Sequence, residues 1–96
     1  IDPMNAYAYK GMGICLTRMG QINEGIDYLQ NAIALADETF IDPYYDLAIV
    51  YQEQNNSEKA LEILELGRNK SSKFKKETQD FYDLLKKKVP EKIFEN

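Results

Sequence analysis

The chain has 96 residues, 44% of them hydrophobic and 29% charged, which supplies apolar side chains for one core and not for two, so residues 1–96 read as a single folding unit. It has no His, and Cys15 is its only cysteine. This excludes an intrachain disulfide, most hydrolytic triads, His-dependent acid–base schemes and zinc sites of mixed ligation. The net charge of −4 conceals an asymmetry: residues 1–58 carry two basic and nine acidic side chains, residues 59–96 ten basic and seven acidic.

No run approaches the roughly 18 consecutive apolar residues of a membrane helix. Ile1-Asp2-Pro3 lacks the basic and apolar segments of a signal peptide, so the expectation is no membrane and a cytoplasmic setting. Cys15 sits in Met12-Gly13-Ile14-Cys15-Leu16 and reads as a small buried hydrophobe rather than a reactive thiol, since no His is present to activate it.

From Ala6 to Met19, the residues Tyr9, Met12, Leu16 and Met19 recur at steps of three and four, which stacks them on one face of a helix. Gly20-Gln21 ends that run. The set Ile22, Ile26, Leu29, Ile33 and Ala36 repeats the helical step, so a second helix follows a short turn, with Gly13 and Gly25 available for close approach of the two backbones. Asp42 is the expected N-cap of a third helix, with Pro43 at its first position and Tyr44, Leu47, Ala48 and Tyr51 on its inner face. Asn55-Asn56-Ser57 makes the next turn. Ser57 is the expected cap of a fourth helix through Ala60, Leu61, Leu64 and Leu66, ending near Gly67 to Asn69. A fifth helix over 75–89 places Phe81, Leu84, Leu85 and Val89 on one stripe and Asp80, Asp83, Lys86, Lys87 and Lys88 on the other; Pro90 stops it and leaves 90–96 as a tail.

A shift of 35 residues superimposes two copies of one pattern: Tyr9 on Tyr44, Met12 on Leu47, Gly13 on Ala48, Leu16 on Tyr51, Gly25 on Ala60, Leu29 on Leu64 and Ala32 on Gly67. Large meets large and small meets small, as close-packed helices require. Asp37 to Ile41, between the copies, is one residue longer than the usual period needs and predicts a local bulge.

These spacings resemble the tetratricopeptide repeat, whose pattern is W-x2-L-G-x2-Y, then a small residue, an aromatic, another small residue and a closing Pro. The chain departs from it in having no Trp, in Leu29 and Leu64 at the aromatic position, and in Asp37 and then Ser or Lys in place of the closing Pro. Residues 1–5 look like the end of a preceding repeat with Pro3 at the closing position; 6–39 and 41–74 form two repeats, and 75–89 the capping helix. The resemblance implies an all-α fold, a right-handed superhelical stack of antiparallel helix hairpins with five helices, the last covering the apolar end of the solenoid.

The resemblance also implies a protein-protein interaction scaffold, with no catalytic, cofactor-binding or metal-binding residues, that holds a peptide or helix in a concave groove lined by the first helix of each pair. The helix faces opposite the hairpin contacts carry the candidate groove residues Tyr7, Lys10, Ile14 and Arg18 on the first helix and Tyr45, Asp46, Ile49, Gln52 and Glu53 on the third. Tyr45 and Ile49 are the expected anchors, being large apolar side chains that face solvent at four-residue spacing. Chaperone-binding members of the family clamp a C-terminal carboxylate with Lys and Asn on the first helix, Asn on the third, and Lys plus Arg on the fifth. Here Lys10 matches the first Lys, but Ile14 and Asp46 replace the two Asn, and Gln79 and Asp80 lie where the last basic residue is sought. A carboxylate facing Asp46 is repelled, so the expected partner is not an acidic C-terminal tail but a segment with apolar anchors and a basic residue near Asp46 and Glu53.

Two other uses are open to the sequence. Arg68, Lys70, Lys73, Lys75 and Lys76, followed by Lys86 to Lys88, are a charge cluster of the kind that attracts nucleic acid or another anionic partner. The acidic total, the interleaved Glu77, Asp80 and Asp83 and the lack of an aromatic platform weigh against it. Self-association is the other use, a homodimer through the outward side of the first helix around Ala8, Cys15 and Met19. The carboxylate pairs Glu62/Glu65 and Asp80/Asp83 read as solvated helix faces rather than as an enzyme's acid and base.

Overall fold

The computed structural model describes residues 3–37 and 39–89. Six helices follow one another: α1 (Pro3–Arg18), α2 (Ile22–Leu35), α3 (Asp42–Glu53), α4 (Ser57–Lys70), α5 (Ser72–Glu77) and α6 (Gln79–Lys88). There is no strand among the described residues. α1 packs on α2 and α3 on α4 as two hairpins, α2 lies against α3, and α5 and α6 both lie on α4. The result is the expected stack of helix hairpins, with one more helix than expected.

Each hairpin turns in the same way. Gly20 takes a positive φ of 88°, and Gln21 N–H donates back to the Leu16 carbonyl at 2.9 Å; thirty-five residues later Asn55 takes a φ of 61°, and Asn56 N–H donates to the Tyr51 carbonyl at 2.9 Å. A left-handed residue followed by such a bond satisfies carbonyls that the helix end would leave bare. This geometry moves the expected cap by one position. The last non-helical residue is Asn56, whose Oδ1 accepts from Lys59 N–H at 3.2 Å, while Ser57 is already helical and donates its hydroxyl to Gln52 Oε1 at 3.4 Å. Asp42 does not cap α3 either. It lies in the first turn beside Pro43, after an Ile41 that offers no side-chain cap, and its carboxylate faces Lys10. α1 starts earlier than Ala6, with Pro3 as its first residue, a position that a missing N–H tolerates.

The first hairpin closes on bare backbone. A Cβ on Gly13 would sit 2.7 Å from Leu29 Cγ and 2.9 Å from the Gly25 carbonyl oxygen, and one on Gly25 would sit 2.8 Å from the Gly13 carbonyl oxygen. Their repeat counterparts Ala48 and Ala60 are fully buried. The main core lies further along the chain, where Leu47, Val50, Tyr51, Leu61, Leu64, Phe74 and Leu85 gather around Leu29 and Tyr44.

That distribution corrects the expected inner face of α1. Ala6 and Gly13 point inward and Tyr9 and Leu16 are half-buried, but Met12 and Met19 are 48% and 68% exposed, and Cys15 is exposed rather than buried. α3 has α2 on one side and α4 on the other, so the positions equivalent to Met12 and Cys15, Leu47 and Val50, are buried there; α1 packs closely on α2 and only touches α3. On α6 the stripe is likewise narrower. Leu85 is fully buried and Phe81 and Val89 are half-buried at four-residue steps, whereas Leu84 is 45% exposed.

The expected helix over 75–89 is interrupted at Thr78, and Arg68 supplies the reason. Its Nη1 donates to the Lys75 carbonyl at 2.8 Å and to Thr78 Oγ1 at 3.1 Å, and its Nη2 donates to Gln79 Oε1 at 3.0 Å. The Lys75 carbonyl would otherwise receive the Gln79 N–H of a continuous helix. Thr78 in turn donates its hydroxyl to the Phe74 carbonyl at 2.7 Å.

The extra residue between the hairpins is taken up by a local turn. Asp37 Oδ1 accepts from the Thr39 N–H at 2.9 Å and from its hydroxyl at 2.6 Å, and the Phe40 N–H donates to the Asp37 carbonyl at 3.2 Å. The turn delivers Phe40, unremarked in the pattern, into a buried position with its ring 4.1 Å from that of Tyr7.

Candidate partner-binding groove

α1 and α3, the first helices of the two hairpins, line two clefts that share Tyr45 and Asp46, and α5 adds a wall to the first. The first, about 410 Å³, is lined by Lys10, Asp42, Tyr45, Asp46, Phe74, Glu77 and Thr78. The second, about 390 Å³, is lined by Ile14, Thr17, Arg18, Tyr45, Asp46, Ile49, Val50 and Glu53. Of the nine residues that the sequence assigns to a groove, Lys10, Ile14, Arg18, Tyr45, Asp46, Ile49 and Glu53 are brought together here. Tyr7 instead packs on Phe40 and lines a small crevice at the hairpin junction, and Gln52 accepts the Ser57 hydroxyl and lines neither cleft.

Tyr45 is 42% exposed, and its ring meets Phe81 edge-on at 5.7 Å, so the side chain is open to solvent yet braced from behind. Lys10 Nζ lies 3.6 Å from both Asp42 Oδ2 and Asp46 Oδ2 and 5.9 Å from the centre of the Phe40 ring. One ammonium is thus divided between two carboxylates at ion-pair rather than hydrogen-bond distance. Asp46 Oδ2 is buried and makes no hydrogen bond. Burial pushes the Asp46 carboxyl above its ordinary pKa, against the smaller opposing pull of Lys10, and the Asp42 charge adds to the rise.

Sequence reasoning missed α5 as a wall of the groove. Phe74, Glu77 and Thr78 reach it because Phe74 is buried over Gly67, where a Cβ would come within 2.8 Å of Phe74 Cε2 and 2.9 Å of Tyr44 Cβ. A signal existed in Ser71-Ser72-Lys73-Phe74-Lys75-Lys76, since a lone aromatic among lysines is best explained by burial. The basic cluster is also altered by the fold. Arg68 is buried, with its guanidinium 4.0 Å from the Tyr82 ring centre, and Lys73 pairs with Glu77 at 4.0 Å.

Two hairpins of one pattern, related by 35 residues and joined through a shared core, are the architecture of a known repeat, and the profile of the family described as Tetratricopeptide repeat matches residues 4–69. The chain belongs to the tetratricopeptide-repeat family. Tetratricopeptide repeats are generally protein–protein interaction modules and typically non-catalytic scaffolds. The match covers α1 to α4 almost entirely and stops at Asn69, so the third wall of the groove comes from residues beyond the matched tetratricopeptide region. No curated protein and no solved structure matches the chain. Among the described residues, no helix is long and apolar enough to cross a membrane.

Proposed function

We propose that the chain is a non-catalytic interaction module, working in the cytoplasm, that holds a short segment of a partner protein between α1, α3 and α5. The observation that carries this reading is the sharing of Tyr45 and Asp46 by two adjoining clefts between the first helices of the two repeats, which makes one elongated trough. Tyr45 and Ile49 offer apolar surface for a partner's side chains, and aromatic anchors of this kind commonly dominate binding energy. Asp42 and Asp46 around Lys10 disfavour an acidic C-terminal tail, because the one cation in that cleft already answers two carboxylates. Burial of Arg68, which takes its guanidinium out of the basic cluster, weakens the nucleic-acid alternative.

Selection from a displayed library of short random peptides tests the proposal. Binders are expected to lose about tenfold or more in affinity against the Tyr45→Ala/Ile49→Ala variant. Binders indifferent to that variant, or a consensus rich in terminal acids, would count against it. Self-association through the outer side of α1 is a second reading, supported by the exposed Met12 and Met19; sedimentation at several concentrations tests it, and a mass that stays monomeric throughout rejects it.

A further inference from the structure

We infer that the cleft between α1, α3 and α5 is a seat for an arginine side chain of the bound segment, its guanidinium lying against Tyr45 and reaching the carboxylates of Asp46 and Glu77. The inference rests on the peptide-holding reading above and adds the chemistry of the residue held.

The charge in the cleft is incomplete. Asp42, Asp46 and Glu77 line it with Lys10 as the only cation, and Lys10 is 3.6 Å from both aspartates, too far to donate a good hydrogen bond to either. Asp46 is a half-buried carboxylate, its side chain 24% exposed, whose inner oxygen has no donor. Glu77 has Lys73 at 4.0 Å, but both side chains are mostly exposed, and such pairs are weak and salt-screened. Burial of Asp46 accordingly outweighs the pull of both Lys10 and Arg18 on its carboxyl and raises its pKa.

An extended cation suits the cleft better than a compact one, because its acids stand on two elements, Asp42 and Asp46 on α3 and Glu77 on α5, and no group of three or more acids among the described residues is placed to hold a metal ion. A guanidinium has five N–H groups in a plane and stacks on aromatic rings, whereas an ammonium is a point charge. The chain already stacks one guanidinium on a tyrosine: Arg68 lies over the Tyr82 ring and donates to neutral oxygens, the Lys75 carbonyl, the Thr78 hydroxyl and the Gln79 amide. The neighbouring cleft, with Ile14, Ile49 and Val50, takes an apolar residue next to the arginine.

The test begins with the peptide library and resynthesis of the best groove-dependent binder with arginine replaced by citrulline, which keeps the shape and removes the charge. The wild-type chain is expected to lose about tenfold in affinity on that replacement, as for other charge-assisted bidentate contacts. The Asp46→Asn/Glu77→Gln variant, checked for an intact melting transition, is expected to lose less than about threefold. The wild-type comparison decides even if that variant fails to fold. Binders that lack arginine, or that tolerate citrulline, while still needing Tyr45 and Ile49 overturn the arginine seat and leave the interaction module standing. A library with no groove-dependent binder overturns both.

Discussion

Among the described residues, Asp46 and Asp37 are carboxylates whose titration the fold shifts in opposite directions. Asp46 binds its proton more tightly folded than unfolded, because its burial outweighs the pull of Lys10. Its favourable contribution is therefore complete below the ordinary Asp value and is lost as pH rises through the raised folded value. Asp46→Asn is expected to raise the melting temperature at neutral pH, with the gain shrinking as the solution is acidified; thermal melts across the acid range check this, and a gain that grows on acidification contradicts it. Asp37, lowered by its bonds from Thr39, contributes above the ordinary Asp value and loses that contribution as pH falls through its lowered one. The glycines of α1 give a sharper contrast. Gly13→Ala drives a Cβ toward the Gly25 carbonyl and is expected to cost about 1–3 kcal/mol. Gly11→Ala meets nothing within 4 Å and is expected to stabilise by about 0.5–1 kcal/mol. Denaturant titration of the two variants should move the midpoint in opposite directions.

At the scale of elements, α5 and α6 hold the end of the stack through Phe74 over Gly67 and through the fully buried Leu85. Leu85→Ala is expected to cost about 2–5 kcal/mol. Truncation at Ser72 removes both helices and is expected to unfold the remainder; a truncated chain that melts at an unchanged temperature contradicts this. The four helices of the two repeats were legible because spacing of three and four residues is a local property, and the Gly13/Gly25 crossing was legible because small residues face each other only where backbones meet. The break at Thr78 was not. It depends on a guanidinium that arrives from Arg68, ten positions earlier, and withdraws a carbonyl from the helix. The cap at Asn56 was missed by one position for a related reason, since the left-handed Asn55 decides where the helix can begin. Met12 and Met19 have helical spacing, but spacing does not say which side of a helix has a neighbour.

Over the whole molecule, buried apolar volume is uneven. Among the described side chains, α1 contributes only Ala6 and the backbone of Gly13 to the buried set, whereas α3 contributes Pro43, Tyr44, Leu47, Ala48, Val50 and Tyr51. Native-state hydrogen exchange is therefore expected to show α1 amides opening at lower free energy than those of α3 and α4, and uniform protection would contradict it. Most of the proposed groove residues could be picked from the sequence because α1 and α3 turn equivalent faces the same way. The wall from α5 could not, since its placement follows from where Phe74 finds a seat on another helix.

The glycine crossing of α1 on α2 has a mechanical corollary. It brings the helix close, with Leu29 seated on Gly13 and Thr17 on Gly25, yet few large side chains of α1 itself are buried, so one bank of the trough is fastened more lightly than the other. A segment wedged between Ile14 and Ile49 would bridge the two banks and brace the lighter one, so that occupancy stiffens a helix whose own anchorage is shallow.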